Sequence, residues 1–82
     1  MTTGLLRCRV YKGMFSDELA IKYKNDDRVS AFFVPRDKVV GFDNESGNVV
    51  VQVFRKNGKA WAVLPTETQS VITIREADFV PQ

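Results

Sequence analysis

The amino-acid sequence predicts an all-β fold, a small and partly open barrel or sandwich of about six or seven short antiparallel strands. Along most of the chain, β-branched and aromatic residues alternate with polar ones, and no stretch of useful length has the spacing of an amphipathic helix. Compact polar turns separate the alternating stretches. With 82 residues, the chain has room for one hydrophobic core, so residues 1–82 are expected to form a single domain.

Seven segments carry this alternation and are assigned as strands. Turn-forming residues lie between several of them, at 25–27 (NDD), 43–48 (DNESGN) and 57–59 (NGK). The NGK turn is the sharpest signal, because asparagine and glycine both adopt positive φ in a two-residue hairpin turn. The predicted strands are residues 5–12, 18–24, 29–34, 39–43, 48–56, 60–64 and 70–75.

The two halves of the sequence resemble each other. CRVYK (8–12) aligns with VQVFR (51–55), and residues 20–40 align with residues 60–80. In both halves a strand is followed by four polar or small residues and an apolar pair, PRDK-VV and READ-FV. This pattern suits a strand, one turn of 3-10 helix and a return to the sheet. It suggests two similar halves in a barrel that is SH3-like or related in architecture, and architecture alone does not fix a function.

The residue composition argues against several kinds of active site. The chain has no histidine, which is the commonest general base near neutral pH and the commonest transition-metal ligand, and it has one cysteine, Cys8. Cys8 lies in mid-strand on the predicted inner face and is expected to be a buried hydrophobic residue. A composite site would need a cleft that gathers groups such as Tyr23, Asp37 or Asp78, and the sequence shows no such convergence. We therefore predict a protein that is not an enzyme and has no cofactor or metal site.

The N-terminal segment bears on the cellular compartment. MTTGLLRCRV lacks the basic start and continuous apolar stretch of a signal peptide, and no apolar run is long enough to span a bilayer. We therefore expect a cytoplasmic protein with no membrane partner.

The segment GMFSDE (13–18) places two large apolar residues, Met14 and Phe15, in a predicted turn between strands. In the second half, the corresponding turn is the much tighter NGK. One interpretation is that Met14 or Phe15 folds back and closes one end of the barrel, because a small domain needs all of its apolar surface. The alternative is that both side chains protrude and bind a partner. Both interpretations remain open at this point.

The leading functional hypothesis is a non-enzymatic binding or adaptor module that acts through protein contacts and self-associates. The segment VVVQVF (49–54) is strongly β-prone and uncharged, and would promote aggregation if it were exposed. Its alternate residues from Val49 to Val53 are assigned to the core, and Trp61, which aligns with Ile21, is expected to be a core residue too. The opposite face would form an apolar patch for a partner or a second copy. The candidate protein-binding residues are Met14, Phe15, Phe33, Val50 and Phe54.

The alternative hypothesis is a small barrel that binds single-stranded RNA or DNA. If residues 5–12 and 18–24 form a hairpin, their outer face carries four cations around one aromatic residue: Arg7, Arg9, Lys22 and Lys24 around Tyr11. Such a surface can hold a phosphodiester backbone, with a base stacked on the ring. The competing interpretation is that these cations solvate the outside of the hairpin and discourage edge pairing. The net charge of +2 is too small to decide the matter.

Overall fold

The computed structural model describes residues 1–43 and 45–82, which form eight antiparallel strands and two isolated 3-10 turns. The first 3-10 turn is Arg36–Lys38 and the second is Glu76–Asp78. The prediction of an all-β fold with short 3-10 turns is therefore confirmed. The strands are β1 (Thr2–Lys12), β2 (Glu18–Asn25), β3 (Arg28–Pro35), β4 (Val39–Asp43), β5 (Ser46–Lys56), β6 (Lys59–Val63), β7 (Val71–Ile74) and β8 (Phe79–Pro81).

The strands form one sheet that is nearly closed into a barrel. Its main path runs β3-β2-β1-β5-β6-β7, while β4 pairs with β5 and β8 pairs with β1. A seam between the two end strands, β3 and β7, leaves the barrel partly open. Near one end of this seam, Asn25 Nδ2 donates a hydrogen bond to Thr73 Oγ1 at 3.3 Å.

Alternation along each strand divides the side chains between the core and the surface. On β1, β2 and β5, alternation predicts these inward residues: Leu6, Cys8, Val10, Leu19, Ile21, Tyr23, Val49, Val51 and Val53. The prediction is confirmed, because all of these side chains are at most 7% exposed. Cys8 is one of them, as expected. The buried core comprises Leu6, Cys8, Val10, Leu19, Ile21, Tyr23, Val34, Val49, Val51, Val53, Ala60, Ala62, Leu64, Ile74 and Phe79.

The similarity of the two halves extends to their topology. Each half has three strands, a 3-10 turn and a fourth strand that pairs with the first strand of the other half. The registers also correspond, since Leu6 lies opposite Phe79 on β8 and Val49 lies opposite Val39 on β4. Leu6 and Val49 face each other across β1 and β5, at the centre of this approximate twofold arrangement.

The structure corrects the predicted position of Trp61. In the β5–β6 ladder Val53 lies opposite Ala62 and Phe54 opposite Trp61, so Trp61 is on the outer face and only partly buried. The inward residues of β6 are alanines 60 and 62, and Ala62 takes the place equivalent to Ile21. Because side chains alternate, an alignment that is wrong by one residue moves a side chain to the other face.

Most strand ends lie within two residues of the predicted ones, and two features differ by more. The first strand begins at Thr2, and the predicted return of Phe79-Val80 to the sheet forms a separate short strand, β8, which makes eight strands rather than six or seven. This strand pairs only with residues 4–6 of β1 among the described residues, so its existence depends on a contact that is remote in sequence.

Gly4 allows β8 to approach β1 closely. A Cβ atom at Gly4 would lie 2.6 Å from Phe79 Cζ and would also overlap the Val80 carbonyl oxygen. We expect Gly4→Ala to lower the free energy of unfolding by about 1–3 kcal/mol, as overpacking typically does. Urea unfolding monitored by circular dichroism measures this change. Thr3→Ala, at the neighbouring exposed position, is the control and should cost clearly less. Equal losses for the two variants would contradict the close-approach argument.

Candidate nucleic-acid interface

The β1–β2 hairpin brings together all five residues predicted to bind nucleic acid. Arg9 lies directly opposite Lys22, and Tyr11 lies opposite Ala20. The four cations are exposed and Tyr11 is partly exposed. Lys22 Nζ lies 5.2 Å from the centroid of the Tyr11 ring, within range of a cation–π interaction. The outer face that alternation predicted for this hairpin is therefore present, with Arg7, Arg9, Tyr11, Lys22 and Lys24 on it.

These cations lie beside a cleft between β2 and the second 3-10 turn. On one edge of β1, β8 pairs with residues 4–6 and β2 pairs with residues 9–12, so the backbone at Arg7 and Cys8 lies between the two partners. The cleft has a volume of about 270 Å³. Five cations line it, with Asp78 as its one carboxylate among the described residues: Arg7, Arg9, Lys22, Lys24 and Arg75.

Arg75 was not predicted from the sequence as a site residue. Its backbone N–H donates to the hydroxyl oxygen of Tyr23 (2.9 Å), and its Nε donates to Asp78 Oδ2 (2.8 Å). The Tyr23 hydroxyl donates to the same Asp78 oxygen at 2.7 Å. This network fixes the second 3-10 turn against β2 and holds the Arg75 guanidinium at the cleft. Burial of the ring, followed by the bond to Asp78, raises the pKa of Tyr23 despite the opposing contribution from the Arg75 N–H.

The same network brings together two of the three groups that were considered as examples for a composite active site. Tyr23 and Asp78 are hydrogen-bonded, whereas Asp37 belongs to the first 3-10 turn. Asp78 is occupied by two donors, Tyr23 and Arg75, which suits a structural role. Within residues 1–43 and 45–82, no group of three or more His, Cys, Asp or Glu side chains is arranged to hold a metal ion.

The approximate twofold arrangement produces a second, equivalent cleft with different chemistry. The β5–β6 ladder begins with Gln52 opposite Val63, as the β1–β2 ladder begins with Arg9 opposite Lys22. The second cleft has a volume of about 410 Å³, and its walls are mainly apolar or uncharged. The positive charge of the first cleft is therefore not a requirement of the fold. Residues that line the second cleft include Val50, Gln52, Val63, Leu64, Pro65 and Lys38.

Few ion pairs neutralise the basic face. Arg9 approaches Glu45 at 3.8 Å, but the side chains are 70% and 64% exposed, so this pair contributes little. Arg7, Lys22 and Lys24 form no ion pair with the described residues. Cations that face each other across a ladder destabilise it by a few tenths of a kcal/mol. The hairpin therefore carries a repulsion that an anionic ligand would relieve.

The loop residues Met14 and Phe15 protrude from the barrel. Their side chains are 75% and 67% exposed, so the core-plug interpretation is wrong and the exposed-tip interpretation is confirmed as a matter of position.

The other three protein-binding candidates do not form one patch. Phe33 is 50% exposed on β3, which is separated from β5 by β2 and β1. Val50 lines the second cleft, and Phe54 stacks on Trp61 with ring centroids 6.4 Å apart and an interplanar angle of 8°. Val50 and Phe54 thus share the outer face of β5, whereas Phe33 is not on a strand next to β5 and does not join them.

Phe33 instead continues the basic hairpin face. It lies opposite Ala20, which lies opposite Tyr11, so the three residues form one row across β3, β2 and β1. The adjacent row contains Arg9, Lys22 and Ala31. Sequence alternation did not reveal this row, because it depends on the registers of two ladders.

No protein-family model, curated protein or solved structure matches the chain. In the part of the chain that the structure describes, no helix is long and apolar enough to cross a membrane.

The pKa of Cys8 tests whether water is excluded from the core beneath this face. Burial raises the pKa of the Cys8 thiol from 9.0 to about 11. The unfolded chain releases this proton at the ordinary pKa, so the contribution of the thiol is complete below about pH 9 and is lost as the pH rises towards 11. Two pKa units correspond to roughly 2–3 kcal/mol.

We expect the stability difference between the native protein and Cys8→Ala to shrink between about pH 8 and pH 11. Urea unfolding under reducing conditions measures it at each pH. The comparison isolates Cys8, because both proteins retain Tyr23, whose raised pKa also lowers stability in alkali. A difference that stays constant over this range would contradict a buried thiol.

Proposed function

We propose that this protein binds single-stranded nucleic acid on the face formed by β1, β2 and β3, and that it acts by binding rather than by catalysis. The observation that carries the proposal is the convergence of five cations on one cleft, while the equivalent cleft of the other half is largely uncharged. If the cations served only to keep the barrel soluble, they would be expected at both equivalent clefts rather than at one. A phosphodiester backbone supplies the matching charge.

The cleft would hold the backbone through its arginines. A guanidinium presents paired N–H donors that match the oxygens of a phosphate, and Arg75 is already oriented by Asp78. Lys22 and Lys24 on β2 add point charges along the same edge. These contacts position the ligand without reading its sequence.

The aromatic row supports a preference for unpaired bases. Tyr11 and Phe33 lie two strands apart, roughly 10 Å at the usual strand spacing. Bases stack on such rings only when they are unpaired, and stacking is tolerant of sequence. We therefore expect single strands to bind more tightly than duplexes, with weak sequence preference.

The compartment we propose is the cytoplasm, where RNA and single-stranded DNA intermediates are accessible. The single thiol, Cys8, is free and buried, which fits a reducing compartment.

Binding of a labelled oligonucleotide of about 12 nucleotides, measured by fluorescence anisotropy at low and moderate salt, tests the proposal. We expect the double variant Arg9→Glu/Lys22→Glu to weaken binding at least about tenfold, because two of the phosphate contacts become repulsive. If about four phosphates are contacted, the logarithm of the affinity should fall by about 3 per tenfold increase in salt.

The β5–β6 hairpin offers a matched control. Lys56 and Lys59 also lie opposite each other and are exposed, but they do not line the basic cleft. Lys56→Glu/Lys59→Glu changes the net charge by the same amount and should leave binding close to native. Equal losses for the two double variants, or no binding by the native protein at low salt, would overturn the proposal.

A separate comparison tests stacking. Phe33→Leu keeps an apolar side chain but removes the ring, so it should weaken binding of single-stranded DNA several-fold. Binding of heparin, a polyanion without bases, should not change. A parallel loss for both ligands would show that Phe33 acts only through the structure of the sheet.

A further inference from the structure

One end of the barrel is formed by three segments that are distant in the sequence. They are the β1–β2 loop (residues 13–17), the first 3-10 turn and the β6–β7 loop (residues 64–70), and we call this the loop end. Arg36 joins the first two, because its Nε donates to the Ser16 carbonyl (2.9 Å) and its backbone N–H donates to the Asp17 carbonyl (2.9 Å). A cleft of about 580 Å³ lies between the β1–β2 and β6–β7 loops.

The apolar tip of the loop end is held in a defined shape. The Glu18 carboxylate oxygen Oε2 accepts hydrogen bonds from the backbone N–H groups of Met14 (3.0 Å) and Phe15 (3.3 Å). The Glu18 N–H in turn donates to the Phe15 carbonyl at 3.3 Å. These bonds satisfy the loop backbone while the two apolar side chains face outward. A loop that is already ordered loses little conformational entropy when it binds.

Among the described residues, the equivalent hairpin at the opposite end of the barrel has no apolar tip. There the β5–β6 hairpin closes with two residues, Asn57 and Gly58. The neighbouring cleft is lined by charged residues that include Asp26, Asp27 and Lys59. The fold therefore does not require an apolar projection at a hairpin end, and the five-residue β1–β2 loop is a feature of one half only.

A cleft that could receive this tip is present in the same chain, with an apolar part formed by Val50, Val63, Leu64 and Pro65 beside polar residues. The second cleft, of about 410 Å³, is lined by Val63 to Thr66 of the segment leading into the β6–β7 loop and by Lys38 of the first 3-10 turn. Its volume is within the range of pockets that bury small ligands, which is sufficient for large apolar side chains. The cleft thus draws its walls from two of the three segments of the loop end.

We infer that the loop end is a self-association surface, on which the tip of each copy inserts into the second cleft of the other. A twofold contact requires one surface to carry both complementary parts, and this end carries an apolar tip and a cleft with a partly apolar lining. The charges are complementary as well, because Asp17 lies beside the tip and Lys38 lines the cleft. Both are exposed, and neither forms an ion pair with the described residues of its own chain.

A second copy engages the tip and the cleft at the same time, whereas a different partner would occupy only one of them. We therefore take the second copy as the occupant. The contact is small, since an aromatic side chain buries about 150–250 Å². Such an area corresponds to a weak, concentration-dependent dimer. This inference does not depend on the proposed binding of nucleic acid.

Sedimentation velocity of the protein without nucleic acid, over roughly micromolar to millimolar concentrations, tests the inference. We expect the native protein to shift from monomer to dimer as its concentration rises. Met14→Ser/Phe15→Ser should raise the dissociation constant at least about tenfold. Val29→Ser, which removes an apolar side chain that is 61% exposed next to the β2–β3 turn, is the control and should dimerise like the native protein.

Reversal of the charges at residues 17 and 38 tests whether the cleft is occupied by the tip of a second copy. Asp17→Lys and Lys38→Asp should each weaken the dimer, and the double variant should recover most of the loss, because the pair is restored with reversed polarity. Losses that add in the double variant would contradict the tip-in-cleft contact. A native protein that stays monomeric at all concentrations, or equal effects of the tip and Val29 variants, would overturn the inference. Far-UV circular dichroism verifies that each variant is folded.

Discussion

The pairing of β1 with β5 is the interaction on which the rest of the barrel depends. These two long strands join the halves of the chain, and each also receives the short fourth strand of the opposite half. Leu6 therefore lies between Val49 and Phe79, while Val49 lies between Leu6 and Val39. Four strands contribute side chains to this one layer of the core. Loss of a side chain such as Leu6 would remove contacts to several strands at once, which makes this layer costly to change.

This central pairing constrains only the inward side chains. Equivalent inward positions in the two halves remain apolar, such as Ile21 and Ala62, whereas equivalent outward positions differ in charge. Arg9 and Lys22 correspond to Gln52 and Val63. The same backbone thus presents a basic cleft on one side and a largely uncharged cleft on the other, with no change of fold.

The sequence predicted the inward faces of β1, β2 and β5 because alternation is a local property. It did not predict the outward position of Trp61, since that depends on the register of the β5–β6 ladder next to a tight turn. The pairing partner of β8 and the role of Arg75 were missed for a different reason. Both depend on contacts with residues far away in the chain, namely Leu6 for β8 and Tyr23 for Arg75.

The candidate surfaces show the same difference between features set by local alternation and features set by contacts distant in the sequence. The five residues of the basic face were identified correctly as neighbours because they belong to one hairpin. The proposed apolar patch combined residues from strands that the topology separates, and the place of Phe33 beside Tyr11 and Ala20 became visible only through two successive ladders. Local pattern identified the side of a strand on which a residue lies. It did not identify the strand that lies next to it.

The approximate twofold arrangement has a consequence for how such a barrel is built. Two separate four-stranded pieces could meet through the same central pairing, but their association would depend on concentration and both pieces would have to be self-complementary. Covalent linkage supplies a high local concentration of each piece for the other. Linkage also allows the outer face of one half to change by mutation while that of the other half stays the same. Two halves of similar fold can therefore acquire different surfaces.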